Sequence, residues 1–182
     1  MAKKLLFLFL AVFFGLALLG AGLAALAVIF TYPKLPSLTA LTDYRPKIPL
    51  RIFSEDNVLI GEFGEERRAF TPINQVPPLM IKSLLAAEDE RFYQHGGIDY
   101  LGVLRAMAGN IMSGQAQSGA STITMQVAKN FYLSNEKTYT RKFNEALLSF
   151  KIEHNLSKDQ ILELYINQIY LGQRAYGFAS AA

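Results

Sequence analysis

The chain has 182 residues, 51% of them apolar and 18% charged, with a formal net charge of +3 and no cysteine. The missing cysteines exclude a disulfide framework and thiol chemistry. Most of the basic surplus is N-terminal: with Lys3 and Lys4 set aside, 16 basic residues face 15 acidic ones, a balance that gives no footing for nucleic-acid binding.

From Leu5 to Phe30 there is no charged residue. A bilayer core needs roughly 20 apolar residues in a helix, so this run is predicted to be a membrane anchor. A cleavable signal peptide is the competing reading, and "LAALA" near the end of the run suits it. Its apolar region is usually ~7–15 residues, however, and this one is longer. Lys3 and Lys4 place residues 1–4 in the cytoplasm and the remainder across the membrane. Residues 31–48, with four prolines in "TYPKLPSLTALTDYRPKIP", read as an extended connector.

Residues 49–74 follow as a hairpin and loop. "LRIFSEDNVLIGEF" predicts a β-hairpin of Leu50–Phe53 with Val58–Phe63 around a polar turn. Pro78 suits the first turn of a helix, where its missing N–H is harmless. Residues 75–182 are predicted to be mostly helical, with helices over 78–93, 98–112, 122–133, 138–155 and 158–171. Ser113 to Ser121 is a small, polar stretch and a candidate lid. Ser157 with Gln160 resembles a capping box. "YGFASAA" stops with no polar tail, as expected of a fragment of a longer protein.

Four features carry candidate chemistry. In "LLAAEDERFYQHGG", helical counting sets Glu88 in an arc with Ile81, Leu84, Leu85 and Phe92. Its ordinary role would be at a stripe edge, reaching solvent or Arg91. Held against apolar neighbours it would be desolvated, as general acid–base work on a sugar hydroxyl favours. Asp89 and Glu90 fall on the polar side. In "SGASTITMQVAKN", Gly119 allows a turn, Ser121 or Thr122 can cap the next helix, and Thr122, Gln126, Lys129 and Asn130 share one face. That face suits a phosphate or diphosphate, or is simply solvated, with Val127, Ala128 and Phe131 in the core. In "RKFNEALLSFKIE", Phe143, Leu147, Phe150 and His154 are predicted to form the core stripe. Glu145 lies opposite, beside Arg141 and Lys142, as a surface ion-pair cluster or a cleft wall flanked by Leu148 and Ile152. His95 reads as a structural histidine, and nothing has the spacing of a zinc site. "SNEK" fits S-x-x-K by chance, since its S-D-N and K-T-G partners are missing.

Taken in order, these stretches resemble the peptidoglycan glycosyltransferase family of bacteria. "EDERFYQHGG" is similar to its first motif, "GASTITMQVAKN" to its second, and "RKFNEALLSFKIEHNLSKDQILELYINQIYLG" to its long third. The resemblance covers roughly residues 75–182 and, with the anchor and hairpin, suggests the N-terminal part of a class A penicillin-binding protein of the Gram-negative type. It implies a mostly α, two-lobed, lysozyme-like domain on the periplasmic side of the inner membrane, polymerising lipid II into β-1,4-linked glycan with release of undecaprenyl diphosphate. A transpeptidase domain would follow.

By the same resemblance Glu88 is the general base and Glu145 the second carboxylate. Ser121, Thr122, Gln126, Lys129, Asn130, Arg141 and Lys142 are expected to bind the donor. Asp89, Phe92, His95 and Gly119 are expected to support Glu88. No cofactor is demanded, although Mg²⁺ or Mn²⁺ often assists the diphosphate in this family. Expected partners are lipid II, the growing glycan strand, the inner membrane and other cell-wall synthesis proteins, and not nucleic acid. The sequence departs from the family at Met125, where a glutamine is common. The competing functions are a lysozyme-like lytic glycosidase, which has no use for the basic cluster, and a non-catalytic scaffold.

Overall fold

The computed structural model describes residues 2–44, 49–64, 66–114, 119, 121–134, 136 and 138–181. The chain separates into two compact units, Met1–Pro36 and Ser37–Ala182. The first is helix α1, Ala2–Thr31, followed by a 3₁₀ turn at Tyr32–Lys34. At 1.5 Å rise per residue its length exceeds the ~30 Å hydrocarbon core. Length and composition alone qualify the segment Lys3–Lys34 to cross a membrane.

The second unit is mostly helical. A short helix α2, Thr39–Thr42, precedes an antiparallel hairpin of β1, Leu50–Phe53, and β2, Leu59–Phe63. The hairpin is as predicted, except that Val58 belongs to its turn, where its N–H is donated to Ser54 Oγ (3.0 Å). Asn57 takes the left-handed turn position at φ 62°, a conformation that asparagine tolerates better than most residues. The sequence analysis did not anticipate β3, Arg67–Arg68, which pairs in parallel with β4, Ala175–Tyr176. The Arg68 guanidinium lies 4.2 Å from the Tyr176 ring centroid and donates to Gln168 (2.6 Å) and Tyr44 (3.1 Å). This cluster joins the two distant segments.

Helix α3 spans Pro78–Glu88, with the proline at its first turn. It stops short of the predicted 93, and Phe92–Gln94 forms a separate 3₁₀ turn. Helices α4, Tyr100–Ser113, α5, Ile123–Tyr132, α6, Tyr139–Asn155, and α7, Lys158–Gln168, follow. The capping box of Ser157 and Gln160 opens α7 as expected. A four-residue helix α8, Phe178–Ala181, ends the described chain. The candidate lid falls largely outside the described residues, as do Lys137 of "SNEK" and residues 45–48 of the connector.

The core lies where α5, α6 and α7 meet. Ile123, Val127 and Ala128 of α5 pack there with Leu148 and Ile152 of α6 and Ile161, Leu162, Tyr165 and Ile166 of α7, all essentially inaccessible. Helix α6 corrects the expected orientation. Phe143, Phe150 and His154 are exposed, whereas Glu145, Leu148, Ser149 and Ile152 are buried. Leu147 is buried on either reading. The apolar count misled because two aromatics outweighed a carboxylate. The carboxylate can be buried because two cations accompany it.

The two faces of α6 should respond differently to truncation. Ile152→Ala is expected to lose ~2–5 kcal/mol, and Phe150→Ala less than ~1 kcal/mol, in denaturant melts of the full-length protein. The reverse ranking would restore the aromatic stripe as the core face.

Candidate active site

Glu88 is the last residue of α3, and its side chain is exposed. The apolar wall expected around it is absent, because the chain leaves the helix before Phe92 can join the stripe. Instead Glu88 lines an open cleft of ≈ 250 Å³ with Asp89, Arg91, Arg105, Ser121 and Thr122. Gly119 lines the same cleft. Gln126 Nε2 donates to Glu88 Oε2 at 2.9 Å, so the first and second motifs meet directly.

Asp89 corrects the sequence reading more strongly. It was expected on the polar side, yet it is buried. As the C-cap of α3 it has left helical geometry, with φ −163°. Its carboxylate accepts from the backbone N–H of Ile123 (3.0 Å), the first residue of α5. It also faces His95 Nε2 at 3.0 and 3.2 Å, so that nitrogen carries the proton. The His95 side chain is itself buried, and Phe92 beside it is wholly inaccessible.

Thr122 caps α5: its hydroxyl accepts from Met125 N (3.2 Å) and donates to the carbonyl of Gly97 (2.6 Å). The helix N-terminus expected to receive a diphosphate is therefore partly occupied from within, by Asp89 at Ile123 and by Thr122 at Met125. Met125 itself is buried, away from the cleft lining. Gly97 adopts φ +92°, and a Cβ there would lie 2.9 Å from Ser149 Oγ and 3.1 Å from its carbonyl carbon. Only glycine fits both the conformation and the approach to α6.

The third motif joins through Ser121. Lys142 Nζ donates to Ser121 Oγ (2.5 Å) and to Glu145 Oε2 (2.8 Å). Arg141 donates to the other oxygen of Glu145 and to the carbonyl of Glu136. Glu145 is only 2% exposed, so the surface ion pair expected by the plainer reading is a buried carboxylate beneath two cations. Ser121 lies both in the Glu88 cleft and on this cluster. Lys129 and Asn130 stand in the last turns of α5, and among the described residues no side-chain hydrogen bond or ion pair links them to the rest. Also among the described residues, no group of three His, Asp or Glu side chains converges as a metal site would require.

Sequence reasoning missed Tyr165, Arg91 and Arg105. Tyr165, in the middle of α7, is wholly buried, and its hydroxyl donates to Gln126 Oε1 at 3.4 Å. Burial, and then the neighbouring Glu88, push its ionisation well above the ordinary tyrosine range. A tyrosine among Ile161, Leu162 and Ile166 was the available signal, since a buried phenol requires a partner. Arg91 pairs with Asp99 at 3.6 Å. Arg105, on α4, lines the same cleft.

Residues 56–182 match the family described as Transglycosylase. The chain belongs to that family. It is 62% identical over 182 residues to penicillin-binding protein 1A of Neisseria gonorrhoeae and to that of Neisseria meningitidis serogroup B, covering 100% of this chain and 23% of each relative. Penicillin-binding protein 1A of Escherichia coli K12 is 49% identical over 165 residues, covering 91% of this chain and 19% of that protein. The chain thus spans less than a quarter of the length of these relatives.

Gly97→Ala should separate packing from chemistry. Forcing a side chain into the left-handed region costs ~1–3 kcal/mol, and the contact with Ser149 adds to it. A lowered melting temperature is expected; an unchanged one would mean that the Gly97–Ser149 approach is not a tight one.

Proposed function

We propose that this chain is the glycan-polymerising part of a peptidoglycan glycosyltransferase whose substrate is lipid II. The observation that carries the reading is the link from Glu88 through Gln126 on one side, and from the same cleft through Ser121 to Lys142, Glu145 and Arg141 on the other. The accessible Glu88 carboxylate faces the cleft, and a cationic group stands at its edge. Transfer of a sugar from a diphosphate needs both: a base for the attacking hydroxyl and positive charge for the departing anion.

In the proposed reaction Glu88 takes the proton from the 4-hydroxyl of the acceptor's N-acetylglucosamine. That oxygen forms its bond to C1 of the donor's N-acetylmuramic acid, and the C1–oxygen bond to undecaprenyl diphosphate breaks. Attack from the face opposite the leaving group inverts the centre to a β-1,4 linkage. Arg141, Lys142 and Ser121 receive the diphosphate, with Lys129 as a further cation. Arg141 offers planar, paired donors suited to phosphate oxygens and Lys142 a point charge. Glu145 acts beneath them by fixing their positions. Asp89, His95, Phe92 and Thr122 hold the backbone that carries Glu88. The described residues do not fit a protein-held Mg²⁺ or Mn²⁺, and no step is routed through one.

The apolar α1 would tether this chemistry to the bilayer that contains the lipid-linked substrate. The inner membrane, with the catalytic unit on the periplasmic side, is the matching location. Transpeptidation by a further domain of the parent protein, and cell-wall synthesis partners, belong to the same proposal.

Glu88→Gln keeps the shape and the bond from Gln126 but removes the base. The full-length variant should retain its melting temperature and lose lipid II polymerisation by at least ~10²-fold. Polymerisation equal to that of the unaltered protein would sink the assignment of the base. Hydrolysis of finished glycan with no consumption of lipid II would replace the polymerase with a lytic enzyme.

A further inference from the structure

We infer that Tyr165 is a positioning residue for Glu88, acting through Gln126, whose amide it orients to donate to the Glu88 carboxylate. The inference rests on the polymerase reading above and adds to it a residue from α7, an element that the motif roles left without chemistry.

The geometry is specific. Gln126 donates its amide N–H to Glu88 Oε2 at 2.9 Å and presents its carbonyl oxygen to the Tyr165 hydroxyl at 3.4 Å. Tyr165 is wholly inaccessible, so packing fixes the phenol behind Gln126. The amide of Gln126 has two possible orientations. A phenol donating to its oxygen selects the one in which nitrogen faces Glu88. Burial and the nearby carboxylate keep the phenol protonated, which makes it a donor throughout the working pH range.

Neutral donors suit this task. An exposed glutamate has several rotamers, and only some point at an acceptor hydroxyl. An arginine or lysine would also fix it, but an adjacent cation lowers a carboxylate's pKa by about 1–3 units and weakens the base. A neutral amide, itself oriented by a phenol, restrains the side chain without placing a full charge beside it. Glu145, which is buried beneath two cations, shows the opposite arrangement.

The test is Tyr165→Phe in the full-length protein, assayed by lipid II consumption across pH with thermal melts alongside. The ring remains, so the packing of α7 is retained. The expected result is a fall in kcat of about 10- to 100-fold from mispositioning, with KM for lipid II changed less than ~3-fold. A donor to a carboxylate favours its charged form. Without the phenol the Gln126 amide is free to turn, its donation to Glu88 weakens, and the acidic limb of the kcat profile moves to higher pH. A fluorinated tyrosine at 165, which keeps the ring and donates more strongly, moves that limb to lower pH and provides the measurement if the phenylalanine variant fails to fold. Unchanged kcat and an unchanged acidic limb in the folded variants would overturn the inference alone. No lipid II consumption by the unaltered protein would overturn the polymerase reading and this inference with it.

Discussion

The buried Asp89 carboxylate is the constraint on which the site depends. It ends α3, receives the first N–H of α5 and engages His95. A carboxylate at a helix N-terminus gains from the dipole and from the unpaired amides there. Taking it out of water is costly unless such partners are in place. Once they are, the direction in which α3 terminates is fixed. Glu88 is the residue immediately before that turn, and it faces outward because Asp89 faces inward. The adjacent carboxylates thus have opposite environments: one is committed to structure and the other is left accessible to chemistry.

Glu145 solves a related problem differently. It sits on the buried face of α6, one turn before Leu148 and Ser149, and is accompanied by Arg141 one turn earlier and by Lys142. Lys142 remains substantially exposed while Glu145 does not. The carboxylate therefore orients two cations from below and leaves Lys142 open toward solvent. Two positive charges over one negative leave a surplus for an incoming anion. Ser121 fixes the position of that surplus relative to the Glu88 cleft.

Much of this was legible in the sequence, and the failures share a cause. Helix existence, Pro78 at a first turn, the Ser157 capping box and the Leu50–Phe53 strand all follow from local rules and were found. The Glu88 environment, the Asp89 burial and the core face of α6 were misjudged because each used a helical count past the point where it held, or ranked residues by apolarity alone. Helical counting assumes the helix continues, and α3 stops at Glu88. Apolarity ranking assumes that charges go to water, and Glu145 carries its counterions with it. The β3–β4 pairing joins residues more than a hundred positions apart and leaves no local periodicity to read. The contacts of Gln126 with Glu88 and Tyr165 depend on how α3, α5 and α7 face one another, which no local pattern reveals.

The arrangement of α5 gives Met125 a place that asks for no polar side chain. Successive residues of this helix serve different masters: Thr122 caps, Ile123 receives Asp89, Thr124 reaches Glu153 at 2.5 Å, and Gln126 reaches Glu88. Position 125 contributes its backbone N–H to the Thr122 cap and its side chain to buried packing. The backbone role is indifferent to side-chain identity. The packing role suits methionine, whose flexible thioether fills irregular space, whereas a glutamine buried there would need partners for its amide. Gln126 thus turns to Glu88, whereas Met125 lies buried and outside the cleft lining.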